Sequence, residues 1–149
     1  RDDEAVRGLV PTLAVRRTPM EEAEARIAGF AEDLGQEADR RLALLFKGVF
    51  ELIDRERAQI VSGIGRYARK QQALADRIDA ARAELAELRA LEEPDFDQQD
   101  RMEELEDRIK WGTRVFDERK QSLTYVCESP VILEKRAFAI ARAIMRHLP

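Results

Sequence analysis

The stretch IVSGIGRYARKQQALADRIDAARAELAEL, residues 60–88, decides the fold. Its mainly apolar positions recur at alternating steps of four and three residues without a slip. This heptad spacing is typical of a helix that packs along one seam against another helix. It therefore predicts one strand of a coiled coil. The seam positions are Ile60, Ile64, Tyr67, Gln71, Leu74, Ile78, Ala81, Leu85 and Leu88.

A second seam follows after a short, acidic connection that contains Pro94. Two helices joined by so short a turn must fold back antiparallel, which pairs residues whose numbers sum to about 190. The sequence thus predicts an antiparallel coiled-coil hairpin over residues 60–127, with its turn at 92–99, protruding from the rest of the protein. The second seam comprises Met102, Leu105, Ile109, Gly112, Phe116, Arg119, Leu123 and Val126.

The segments on either side of this hairpin predict the base from which it rises. Residues 1–17 show no helical period and contain Pro11, so we expect an extended or disordered N-terminal arm. An apolar stripe predicts a first helix over 18–59, and Ser129 and Pro130 are typical of the start of a last helix over 129–147. The predicted fold class is all-α, with residues 18–149 forming a single domain and these two helices forming a bundle base.

Composition and motifs exclude several functional classes. The chain has 149 residues, of which 38% are charged, and its net charge of −4 gives no reason to expect nucleic acid as a partner. A single cysteine and a single histidine cannot supply a zinc site, and the glycines form no phosphate-binding motif. We therefore expect no cofactor, no metal, no catalytic residues and no enzymatic activity. The excess of arginine over lysine favours a bacterial origin, in cytoplasm or periplasm.

The hairpin tip is the most unusual patch. From Glu84 to Asp107 the chain holds eleven acids against two arginines, a net charge of −9. We expect this tip to dock on a basic partner, with Phe96 as an apolar anchor. The alternative is a solvated turn in which Asp97 caps the second helix and Phe96 folds over Leu91 and Met102. The predicted contact residues are Glu92, Glu93, Asp95, Phe96, Asp97 and Asp100.

The hairpin flank offers a second candidate contact surface. Trp111, Val115 and Arg119 lie beside or within the second seam, where a two-stranded coiled coil would leave them partly exposed. Either a third helix of the chain or a second subunit covers them, so a homodimer is one predicted partnership.

The hairpin base is the candidate ligand site. The glycine pair in SGIG predicts a kink or a close helix contact, and Cys127 is interpreted as a small buried side chain at the joint before the last helix. A pocket there would suit a helical-bundle sensor or small-ligand-binding domain. Its lining would be Gly63, Gly65, Tyr67, Tyr125 and Cys127.

The last helix is apolar around much of its circumference and carries a net charge of +3. Such a helix is either packed between the first helix and the hairpin base or laid on an anionic membrane, and we expect the packed arrangement. The predicted function is that of a non-enzymatic coiled-coil scaffold, docking a protein partner by its tip or flank. The alternative is the ligand-binding domain.

Overall fold

The computed structural model describes residues 2–32 and 34–149, with side chains from residue 4 onward. The described part is built from helices and contains no β-strand, so the predicted all-α class is confirmed. The helices are α1 (Asp2–Ala14), α2 (Met20–Glu32), a 3₁₀ turn (Gly35–Glu37), α3 (Ala38–Arg89), α4 (Phe96–Cys127) and α5 (Ser129–Met145).

The chain forms two compact units. One contains the residues up to Val61 together with Glu128–Pro149, and we call it the terminal unit. The other, Ser62–Cys127, is the central unit. The long helix α3 contributes its first part to the terminal unit and its remainder to the central unit.

The terminal unit has a continuous apolar core. Fourteen buried side chains from α1, α2, α3, α5 and the 32–38 connection pack together, and Ile27, Leu45 and Ile140 are completely buried. Burial of this many large side chains is the main force that holds the four helices together. The core residues are Val6, Leu13, Ala14, Ala23, Ile27, Leu34, Leu42, Leu45, Val49, Ile53, Leu133, Ile140, Ala143 and Ile144.

The first seventeen residues are not an extended arm, which corrects the sequence prediction. Residues 2–14 are helical in spite of Pro11, and Leu13 and Ala14 lie in the core. Gly48 of α3 allows this close approach, because a β-carbon there would lie 2.7 Å from Val10 Cγ2. Tertiary burial of one face therefore outweighs the backbone hydrogen bond that proline cannot donate.

The first predicted helix, 18–59, is also divided. Helix α2 ends at Glu32, and α3 begins at Ala38 after the 3₁₀ turn. Gly35 adopts a φ of 56°, a left-handed conformation that other residues rarely take and that ends helices. Residues on both sides of this break still supply the core, so the apolar stripe continues although the helix does not.

The central unit is held by a much smaller core. Ala81, Leu85 and Leu105 are buried, and Leu88, Met102 and Ile109 pack around them. Further contacts between α3 and α4 follow an antiparallel order, since residues earlier in α3 meet residues later in α4. Gly112 lies against Ile78, where a β-carbon would be 3.0 Å from Cγ1. The buried Gln71 amide donates a 2.9 Å hydrogen bond from Nε2 to the Phe116 carbonyl oxygen.

Candidate interaction surface

A reciprocal capping box defines the start of α4 at the tip of the central unit. The Gln98 backbone N–H donates to Asp95 Oδ1 at 2.8 Å, and the Asp95 N–H donates to Gln98 Oε1 at 2.9 Å. This arrangement satisfies backbone donors that the helix itself leaves unpaired. Asp95, and not Asp97, is therefore the N-cap, and the Asp97 carboxylate is left free of that role.

Phe96 projects into solvent. Its side chain is 84% exposed, so it does not fold over Leu91 and Met102 as the alternative interpretation supposed. Leu91 is itself 43% exposed. The capping box fixes the backbone next to Phe96, so the ring occupies a defined position at the first turn of α4. Exposed aromatic rings are common anchors of interfaces when a partner supplies a pocket for them.

Free carboxylates surround the ring. Four exposed acids at the tip make no ion pair with any described residue: Glu92, Glu93, Asp97 and Asp100. Both arginines of the acidic patch are engaged further from the turn. Arg89 Nη2 lies 3.1 Å from Glu106, and Arg101 contacts Glu84 and Glu104. The charge around Phe96 is therefore available to a partner.

The Arg101–Glu84 pair links the two helices below the tip. Arg101 donates from Nε to Glu84 Oε1 at 3.0 Å and from Nη2 to Oε2 at 2.8 Å, which is a two-pronged contact. This hydrogen bonding lowers the pKa of the Glu84 carboxyl and raises the pKa of Arg101. The pair is one of the contacts that join α4 to α3 near the tip.

The three flank residues differ in how far they are exposed to solvent. Trp111 is 57% exposed and its ring lies under the Arg114 guanidinium, 5.6 Å from the ring centre, whereas Val115 and Arg119 are half-buried. No third helix within the central unit covers Trp111. The flank thus remains open to a partner, with one aromatic side chain as its main feature.

The residues proposed for a pocket do not form an enclosed site within the central unit. Tyr125 is 82% exposed and Tyr67 is 40% exposed. Cys127 is also exposed, so its interpretation as a buried side chain was wrong. Helix α3 continues through Gly63 and Gly65, whose missing β-carbons would meet only arginines of the same helix, and the expected close helix contact is absent there.

A groove that the sequence did not suggest lies on the terminal unit. It has a volume of about 610 Å³, and four cationic side chains line it together with apolar walls that include Met20 and Phe138. We call it the basic groove. Its cationic lining is Arg16, Lys135, Arg136 and Arg142.

Arg136 holds the wall of the basic groove in place. It is only 8% exposed, and it donates from Nε to the Leu13 carbonyl at 3.0 Å and from Nη1 to the Thr18 carbonyl at 2.6 Å. Leu13 lies in the last turn of α1, which carries no basic residue of its own. Arg136 therefore joins α5 to the end of α1, and its burial lowers its pKa.

A second, more apolar groove of the terminal unit, which shares Phe138 with the basic groove, was also missed. Phe46 and Phe50 are 40% and 50% exposed. Their rings stack at 6.0 Å beside Ile53 and Phe138, and the groove has a volume of about 480 Å³. At its polar end Arg57 Nε lies 2.9 Å from Glu134 Oε1, an ion pair whose angle is too bent for a hydrogen bond.

Three further observations bear on the kind of protein this is. Within the described residues, no three His, Cys, Asp or Glu side chains converge as a metal site requires. None of the described helices has a stretch long and apolar enough to span a membrane. No protein-family model, curated protein or solved structure matches the chain.

Proposed function

We propose that this protein is a non-enzymatic interaction or scaffold protein that docks a basic partner through the tip of its central unit. The observation that carries the proposal is Phe96, an 84% exposed ring close in sequence to carboxylates that make no ion pair with a described residue. The exposed Trp111 flank is a second contact surface for the same role.

The chemistry of the tip suits such docking. An aromatic side chain supplies most of the contact energy of an interface when it enters a pocket on the partner, and loses little conformational entropy in doing so. The carboxylates around it accelerate association with a basic surface and reject acidic ones. The capping box at Asp95 holds the tip in one conformation before binding, which lowers the cost of ordering it.

A substitution at the tip tests the proposal. The triple variant Phe96→Ser, Asp97→Asn, Asp100→Asn alters exposed side chains that make no described ion pair, so its thermal midpoint should equal that of the wild type. Tagged protein would be isolated from cells of its source under native conditions and its retained proteins quantified by mass spectrometry. We expect the variant to lose a basic protein that the wild type retains.

A matched variant controls for charge and for loss of an exposed ring. Tyr125→Ser, Asp79→Asn, Asp117→Asn removes one exposed aromatic ring and two exposed acids elsewhere on the central unit. This control should retain the same partner at wild-type abundance. Equal retention by both variants, or equal loss from both, would contradict docking through the tip.

The second candidate function is small-ligand binding, and the apolar groove favours it. Phe46, Phe50, Ile53 and Phe138 present a mostly apolar recess with one ion pair at its end, which is the usual character of a ligand site. This location differs from the hairpin base expected from the sequence. Native mass spectrometry of the purified protein tests it, since a bound ligand adds a stoichiometric mass that Phe50→Trp, which fills the recess, should abolish.

A further inference from the structure

The basic groove has the charge pattern of a site for an acidic partner. Arg16, Lys135 and Arg142 are exposed and form no ion pair with any described residue, and no acidic side chain lines the groove. Three uncompensated cations so close together repel one another, and an incoming anion relieves that repulsion. Between them Phe138 is 67% exposed, so the site would also take an apolar group.

The spacing of the groove matches a helix face. Lys135 and Arg142 are seven residues apart on α5, a separation of about 10.5 Å along the helix axis, and Phe138 lies between them. A partner helix that lies nearly parallel or antiparallel to α5 would present acids at the same seven-residue interval, because both helices rise by the same distance per residue. It would carry an apolar residue on the same face.

The protein itself contains such a helix face, at the start of α4. Phe96, Asp100, Glu103 and Asp107 follow one another at steps of four, three and four residues, so they form one stripe. All four are exposed, and none of the three acids is ion-paired with a described residue. Asp100 and Asp107 repeat the seven-residue interval of Lys135 and Arg142. We call this face the acidic stripe.

We infer that the basic groove of one copy binds the acidic stripe of a second copy of the chain. This inference rests on the proposed function, because it gives the tip a specific partner. The stripe supplies three carboxylates to the groove cations and brings Phe96 to the apolar wall. An anionic membrane is the competing occupant. The stripe is favoured because its acids share the interval of the groove cations and because the recess is concave between helices.

Charge reversal on each surface tests the inference. The groove variant is Lys135→Glu, Arg142→Glu, and the stripe variant is Asp100→Lys, Glu103→Lys. All four side chains are exposed and make no ion pair with a described residue, so both variants should fold with unchanged circular dichroism spectra. Sedimentation velocity over a range of concentrations at low salt should show wild-type self-association, and each variant alone should weaken it about tenfold or more.

Mixing the two variants is the decisive step. The reversed groove then faces the reversed stripe, and association in the mixture should recover to near the wild-type value. Recovered dimers would indicate that each copy places its stripe in the other copy's groove. Larger species would indicate a head-to-tail arrangement, since contacts of that kind that do not close into a ring add further copies. A wild type that stays monomeric at every concentration, or a mixture that does not recover, would overturn the inference.

A vesicle experiment separates the remaining explanations. Wild-type protein and the groove variant would be floated with phosphatidylglycerol vesicles at the same salt concentration. If the wild type floats with the vesicles and the groove variant does not, the groove binds an anionic membrane, and docking of a second copy is overturned. If the stripe variant loses a heterologous partner while self-association is absent, the proposed function stands and only this inference fails.

Discussion

The terminal and central units of this protein are stabilised in different ways. In the terminal unit, fourteen buried side chains from several helices form one core. In the central unit, the corresponding cluster has only three buried side chains, and the two helices are also joined by polar links such as Gln71 with the Phe116 carbonyl and Arg101 with Glu84. A two-helix pair buries too little apolar surface to be very stable alone, whereas a packed core of this size is not easily opened.

The two units also differ in which of their side chains are exposed to solvent. The terminal unit provides a stable fold, and most of its charge lies outside a dry interior. The central unit leaves most of its side chains in solvent, including Phe96, Trp111 and Tyr125. Exposed aromatic side chains of the central unit therefore lie where the core is thinnest, whereas the candidate binding features of the terminal unit are grooves between packed helices.

The largest expected effect comes from removing core volume in the terminal unit. Leu45→Ala deletes a side chain with no exposed surface and should lower the free energy of unfolding by about 3–5 kcal/mol. Leu88→Ala in the central unit deletes a half-buried side chain and should cost about 1 kcal/mol. Urea unfolding followed by circular dichroism would measure both. Equal losses would contradict the contrast between the two cores.

The buried arginine should have the next largest effect. Arg136→Met leaves the Leu13 and Thr18 carbonyls without their donor and should destabilise the terminal unit by about 2–4 kcal/mol. The neighbouring Lys135→Met, at an exposed position, should change stability by no more than about 0.5 kcal/mol. Thermal unfolding of the three proteins decides this, and a tolerant Arg136→Met would show that the link is dispensable.

Substitution of two glycines by alanine tests how closely the helices of the central unit pack. Gly65→Ala places a methyl group in ordinary van der Waals contact, 3.5 Å from the flexible Arg69 guanidinium, and should stabilise the protein by about 0.5–1 kcal/mol. Gly112→Ala gains the same helix propensity but puts its methyl 3.0 Å from Ile78 Cγ1, so this gain should be lost. Denaturant midpoints compare the two, and an equal rise in both would contradict the close packing at Gly112.

The smallest expected effect concerns pH. Because Arg101 lowers the folded-state pKa of Glu84 below its ordinary value of 4.5, the stabilisation from this pair is present above that value and disappears as the pH falls through the lowered pKa. The stability advantage of wild type over Glu84→Gln should therefore shrink as the pH falls below 4.5. Glu103→Gln, at an exposed position that makes no ion pair with a described residue, controls for the loss of one carboxylate from the same unit.

The sequence predicted the all-α class because periodicity reports directly which helical face is apolar. It missed α1, whose short stripe is interrupted by Pro11 and becomes helical through contacts with distant residues such as Gly48. It also could not show that Arg136 is buried, because an arginine in a basic helix is usually at the surface.

Some features of the candidate sites could likewise be predicted from the sequence, and others could not. The acidic character of the tip follows from composition, and the exposure of Phe96 does not, since a ring beside a turn can pack back on either helix. The two grooves depend on which faces of α3 and α5 remain uncovered after the helices pack. No local pattern contains that information.

Crosslinking through Phe96 tests the central claim most directly. A photoreactive phenylalanine analogue would replace Phe96 in one protein and Lys120, an exposed residue of the same helix away from the tip, in another. Both proteins would be irradiated in cells of the source organism. If the tip docks on a partner, position 96 should give a defined adduct, to a basic protein or to a second copy of the chain, and position 120 should not. No adduct from position 96, or the same adduct from both positions, would contradict it.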